Sequence, residues 1–253
     1  MKETRFFALI LVGLLFMDFA QTIIFAIGFL TWFFAFIKLI YDHKPSKSYT
    51  NVTRFLVRIA IFGAISAVLY IVPFLKFSLI IFPSFLEIHF DEIPVFIAGF
   101  AYGPVYSIAI LFIKTIIKLP FTSTLGVGEL SDLIFSSAFI LPATIIYKKR
   151  RTFKGAITGL LIGTMCQLLV SLIGNIYFMV PFYLFMFNLT RDQLLAICQL
   201  ANPLIEDIEW KYGLYGVLPF NTIKDSIIII LTLLVYKSTH TYIDKLSNEK
   251  TAY

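Results

Sequence analysis

The stretch GLYGVLPFNTIKDSIIIILTLLVYK, residues 213–237, sets the terms for the whole chain. From Val217 to Tyr236 it is apolar enough to lie in lipid, and about 20 such residues are what a helix needs to cross the hydrocarbon core of a bilayer. Yet Asn221, Lys224 and Asp225 fall inside it. Placing a lysine at the centre of a membrane helix costs about 2.5–3.5 kcal/mol on insertion scales, so such a residue faces a cavity or a partner. Two readings of Lys224 stand at this point. It reaches into a pocket hydrated from the exterior, or it is structural, snorkelling to headgroups or pairing with Glu129 or Asp132. Asn221 precedes it by three residues and shares its helix face. Asp225 lies about 100° round the helix, toward another helix or the pocket wall.

The rest of the chain has the same character. Of its 253 residues 59% are hydrophobic and only 14% charged, where soluble domains carry roughly 25% charged residues. Lipid therefore surrounds most of the protein, and backbone groups in lipid must be satisfied within helices or closed barrels. The apolar runs are long and unbroken, without the alternation of barrel strands. The expected fold class is an all-α integral membrane protein.

Spanning segments are expected at about 52–72, 94–118 (broken at Gly103-Pro104), 130–147, 155–180 and 218–236. Counting the broken segment as two short helices makes a six-transmembrane-helix core within residues 52–237. Residues 1–41 add one or two N-terminal transmembrane helices, and 42–51 form a polar linker. Residues 184–216 form an external insertion, and 238–253 a tail. Leu194, Leu195, Ile197 and Leu200 suggest a short amphipathic helix over the bundle mouth; a plain surface loop is the alternative. The net charge of +6 has its densest run in KKRRTFK, Lys148 to Lys154. Cations accumulate in cytoplasmic loops, so this loop, the linker and the tail are placed in the cytoplasm, with both core termini inside.

Other polar residues sit where chemistry is possible. Asn175, after Gly174 near the outer end of the fifth core helix, matches the depth of Asn221. Two buried amides level with a lysine suit a ligand with carbonyls or ring nitrogens, although polar residues also act as interhelical glue. In STLGVGELSD, residues 123–132, Gly126 and Gly128 allow close backbone approach. Glu129 and Asp132, one turn apart, are either an acid and base pair or complements to a helix N-terminus. Ala60, Ala64 and Ala67 on the first core helix, and Gly155, Gly159 and Gly163 on the fifth, allow close helix approach, internally or to a partner.

No G-x-x-x-x-G-K-[ST] is present, so the chain carries no P-loop for ATP hydrolysis. Neither H-E-x-x-H nor G-x-S-x-G appears, and His43, His89 and His240 are scattered, leaving a hydrolase little support. Cys166 and Cys198 carry no disulfide or metal signature.

Four stretches in order carry a resemblance: FPSFLEIHFDEIPVFIAGFAYGPV (82–105), GVGELSDLI (126–134), LPATIIYKKRRTFKGAITGLLIGT (141–164) followed by GNIYFMVPFY (174–183), and LPFNTIKDSI (218–227). From about Arg54 to Lys237 the chain resembles the substrate-binding S components of energy-coupling factor (ECF) vitamin transporters, most closely the riboflavin-specific branch. The resemblance implies a bacterial cell-membrane protein that captures a vitamin at the outer face and is not an enzyme. It also implies partners, a transmembrane coupling protein and two cytoplasmic ATPases, with riboflavin as cargo and no cofactor. By the same resemblance Asn175, Asn221 and Lys224 contact the flavin, Gly126 and Gly128 line the pocket with Glu129 beside them, and Ala60, Ala64 and Ala67 dock the coupling protein. Where the branch commonly reads F-L-K-I-D-F-S-D-I-P, this chain has Glu87 and His89 for Lys and Asp, with Asp91-Glu92 before Pro94. It has Ser131-Asp132 for the common Ala-Asn. The alternatives are the same kind of subunit for pantothenate or a thiamine precursor, a membrane enzyme using Glu129 and Asp132, and a scaffold with an empty bundle.

Overall fold

A computed structural model describes residues 49–248, with side chains from Val52 to Ser238. The helices expected over 1–41, most of the linker 42–51 and the last residues of the tail lie outside the described residues. Among the described residues, five helices are long and apolar enough to cross a membrane: Val52–Ile71, Pro104–Phe121, Val127–Lys149, Phe153–Met186 and Trp210–Ser238. A sixth apolar helix, Glu92–Tyr102, is shorter.

In chain order the elements are α1 (Tyr49–Ile71), a two-stranded antiparallel ribbon of β1 (Phe77–Ser78) and β2 (Glu87–Ile88), α2 (Glu92–Tyr102) and α3 (Pro104–Lys118). Then come α4 (Val127–Lys149), α5 (Phe153–Gly174), α6 (Val180–Met186), α7 (Arg191–Ala201) and α8 (Leu218–Asn248). The ribbon was not foreseen, because strands of two residues leave no periodicity to read. The helix expected to end near 237 continues to Asn248.

The break at Gly103-Pro104 falls where expected. Gly103 has φ 104° and ψ 171°, a conformation glycine tolerates and L-residues avoid. Pro104 then starts α3, where its missing N–H costs nothing. The short α2 is buried along nearly its whole length, Pro94 to Ala101 included. It is apolar all round because its neighbours are protein rather than lipid. It packs on α1, α3, α4 and α8, and its Phe96 and Phe100 meet Phe139, Tyr147 and Tyr236 in the main core.

The small-residue face of α5 serves internal packing. A Cβ on Gly159 would lie 2.6 Å from the Ala143 carbonyl oxygen, and one on Gly163 2.2 Å from that of Phe139. Thus α4 and α5 touch backbone to backbone, joined by a tight turn in which the Thr152 hydroxyl accepts from the Gly155 amide. On α1, Ala60 and Ala64 lie on an exposed apolar face with Leu56, Val57, Ile61 and Ile65. Ala67 does not share that exposure: on nearly the same side of the helix as Ala60, it is only 3% exposed, because the bundle covers the end of α1 that leads to Tyr70.

The segment between α6 and α8 contains the expected amphipathic helix. A capping box between Thr190 and Gln193 starts α7. Its Leu194 and Cys198 pack against Val180, Tyr183, Ile205, Ile208 and Tyr212. It braces α6 and does not roof the cavity described next, because its apolar side chains close onto α6 first.

Candidate ligand-binding site

At the end of the bundle opposite the Lys148–Lys154 loop lies a cavity of about 300 Å³. Its wall draws on the end of α1, the ribbon, the end of α3, the start of α4, the α5–α6 junction and the start of α8. A wide π-helical turn, Asn175–Met179 between α5 and α6, places Asn175 and Met179 in this wall, and a second, Gly213–Val217, leads into α8. Such turns push one residue out of helical register, which is how functional positions are often set.

Asn175, Asn221, Lys224, Gly128 and Glu129 all line this cavity. Asn175 donates from Nδ2 to the Ser171 carbonyl at 2.8 Å, and its Oδ1 accepts from the Tyr212 hydroxyl at 3.5 Å. Asn221 donates from Nδ2 to the Val217 carbonyl at 2.9 Å and accepts on Oδ1 from Gln167 Nε2 at 3.1 Å. Both amides are thus held by protein, and each keeps one N–H and one lone pair for a ligand. Gly126 does not line the cavity. In a left-handed turn at φ 88° it caps α4, and its amide donates to Thr122 Oγ1 at 3.0 Å. Glu129 accepts on Oε2 from the hydroxyls of Thr122 at 2.7 Å and Thr124 at 3.1 Å, in the first turn of α4, as a carboxylate at a helix N-terminus should.

Lys224 is 5% exposed and donates from Nζ to Glu92 Oε1 at 3.1 Å. Its partner is therefore Glu92 on α2, not Glu129 or Asp132, and Ser136 Oγ donates to the same oxygen at 2.7 Å. An ammonium has three donors, and Glu92 takes one of them. Asp225 is fully buried away from the cavity wall, with neither carboxylate oxygen hydrogen-bonded among the described residues.

A second charged cluster lies behind the wall and reaches the cavity through His89 and Asp132. Lys114 of α3, fully buried, donates to Asp91 and, at 2.9 Å, to Asp132 Oδ2. The His89 ring engages Asp91 through Nδ1 and approaches Asp132 Oδ1 through Nε2 at 3.6 Å. Ser66 of α1 ties down the Asp91 carbonyl at 2.7 Å. Buried charges persist only when paired and hydrogen-bonded, and Lys114 with its two carboxylates meets that condition. His89, Asp91 and Asp132 are among the positions where the sequence departs from the riboflavin-branch pattern, and here they meet around one lysine. The signal that would have exposed Lys114 was present: a lysine in the apolar run IAILFIKTIIK warrants the question asked of Lys224. Asp132 with Lys114 as its partner is part of an ion-pair network, which leaves the reading of Glu129 and Asp132 as a catalytic pair without geometric support. The remaining wall mixes Phe85, Phe135, Met179, Tyr183, Phe187 and Phe220 with polar residues toward the mouth, among them Lys76, Glu87 and Lys118.

Comparison with known proteins points one way. "Riboflavin transporter RibU" of Staphylococcus aureus (strain TCH60) is 30% identical over 189 residues, covering 75% of this chain and 93% of that protein. "Riboflavin transporter FmnP" of Bacillus subtilis (strain 168) is 26% identical over 192 residues, covering 74% and 94%. A solved structure described as "Structure and mechanism of the S component of a bacterial ECF transporter" superposes with a TM-score of 0.58 at 27% identity, over 76% of this chain and 98% of the other. The family described as "ECF transporter, substrate-specific component" matches residues 54–236, from α1 to the aromatic cluster on α8. A buried polar cavity at one end of an apolar helical bundle is what a substrate-specific subunit requires, and the chain belongs to the substrate-specific components of ECF transporters.

Proposed function

We propose that this chain captures riboflavin, or a closely related flavin, as the S component of an ECF transporter. The observation that carries the reading is the composition of one cavity. Two half-satisfied amides and a lysine, Asn175, Asn221 and Lys224, share a wall with Phe85, Phe135, Tyr183 and Phe220. A flat heteroaromatic ring with carbonyls and ring nitrogens at its edge satisfies both kinds of surface. The volume of about 300 Å³ stands at the lower bound of the about 300–1,000 Å³ typical of small-molecule sites. That suits a ligand of vitamin size.

The basic loop Lys148–Lys154 belongs in the cytoplasm by the distribution of cations, which turns the cavity to the outside of a bacterial cell membrane. The energy for uptake comes from partners, a membrane coupling protein and two ATPases, because the chain has no nucleotide-binding loop of its own. Ala60 and Ala64, on the exposed face of α1, supply a surface for close helix contact with the coupling protein. Riboflavin is cargo here and not a cofactor.

Purification tests the reading directly. The full chain, extracted from membranes of cells grown with riboflavin, is expected to be yellow and to release riboflavin on denaturation, identified by mass spectrometry. The emptied protein should quench added riboflavin fluorescence saturably. Saturable binding of pantothenate or a thiamine precursor with no flavin response would reject the proposal.

A further inference from the structure

Resting on the flavin reading above, we propose that Asp132 and His89 form a subsite for the hydroxylated side chain of the ligand, and that they make this protein select flavins bearing a polyol over the bare ring system. Both residues line the cavity. Each is held from behind. Asp132 Oδ2 accepts from Lys114 Nζ at 2.9 Å, and the lysine, itself fully buried, compensates the charge and fixes the side-chain orientation. His89 is held by Asp91 through Nδ1 and by the ring of Tyr70, whose centroid is 4.8 Å away.

The atoms left over face the same space. Asp132 Oδ1 and His89 Nε2 are 3.6 Å apart, beyond the usual 2.7–3.2 Å of a hydrogen bond. A carboxylate only accepts, so the Asp91 contact keeps a proton on Nδ1 and leaves Nε2 as the ring atom turned to the cavity. The Asp132 oxygen beside it repels the carbonyl edge of a ring. Together the two atoms match neighbouring groups that can each donate or accept, and vicinal hydroxyls are such groups. Lys118 reaches the same end of the cavity, over the Tyr70 ring, and offers a donor to the hydroxyl oxygens. Asn175, Met179 and Tyr183 come instead from the α5–α6 junction, the side of the cavity that this subsite leaves to the flat ring.

The experiment compares riboflavin with lumiflavin, which has the same ring and a methyl group in place of the ribityl chain, by fluorescence quenching on the full chain. The wild-type protein should bind riboflavin the more tightly. Asp132→Ala and His89→Phe should each weaken riboflavin by about tenfold, the scale of a lost hydrogen bond to a charged or fixed acceptor, and leave lumiflavin affinity unchanged. His89→Phe keeps the ring packed on Tyr70 and carries the test if the aspartate variant does not fold. Equal losses for the two flavins, or unchanged riboflavin affinity in the folded variants, would overturn the subsite alone. A wild-type chain that binds neither flavin would overturn both the subsite and the flavin reading.

Discussion

In the proposed site Lys224 has two tasks, and they are separable. It neutralises Glu92, which is buried and has Oε2 without a partner among the described residues, and it presents the remainder of its ammonium to the cavity. Removing one partner of a buried ion pair costs about 3–5 kcal/mol because the other charge is stranded. Lys224→Met should therefore lower the melting temperature in detergent as well as riboflavin affinity. Adding Glu92→Gln removes the stranded charge. The double variant is expected to recover most of the melting temperature while affinity stays about tenfold or more below wild type. Recovery of both would make Lys224 purely structural. That Asn221 and Lys224 share a face was legible in the sequence at this scale, since spacing along a helix is set by the chain. Lys224's partner was not, because Glu92 lies 132 residues away and only folding brings it near.

At the scale of elements, the site depends on how closely α4 and α5 approach. Their backbones meet at Gly159 and Gly163, and α4 brings Gly128, Glu129 and Asp132 to the cavity while α5 leads into Asn175. A Cβ at position 163 would collide with the backbone oxygen of Phe139, which cannot rotate away as a side chain can. Overpacking of this kind costs about 1–3 kcal/mol. Gly163→Ala is therefore expected to lower the melting temperature measurably and to weaken flavin binding less than Lys224→Met does. An unchanged melting temperature would mean that the helices part without cost. The glycine spacing was visible beforehand, but it left open whether the stripe packs inside the molecule or against a partner. Ala60 and Ala64 raise the same ambiguity and come out the other way, exposed among Leu56, Val57 and Ile61.

For the whole molecule, orientation and coupling are the quantities to test. With the two native cysteines replaced, Ser123→Cys at the cavity end should react with a membrane-impermeant maleimide on intact cells, and riboflavin should protect it. Thr152→Cys in the basic turn should react only after the membrane is opened. The reverse pattern would invert the proposed topology. Ala60→Phe with Ala64→Phe fills the exposed small-residue face of α1. It should leave flavin affinity of the isolated chain unchanged while abolishing uptake in cells that supply the coupling module. Retained uptake would move the docking surface elsewhere.

Composition and run length alone established a helical membrane protein, the break at Gly103-Pro104, the absence of an ATP-hydrolysing loop, and Asn175, Asn221 and Lys224 as the polar residues to explain. These are properties of a helix in lipid, where solvent imposes length and apolarity and where each misplaced polar group stands out. Folding decided what the groups do to one another. It paired Lys224 with Glu92, gathered His89, Asp91 and Asp132 around Lys114, removed Gly126 from the cavity wall and covered Ala67. Charge pairing acts over a few ångströms in space and is blind to distance along the chain, so only the packed arrangement of α2, α3, α4 and α8 sets which charges meet.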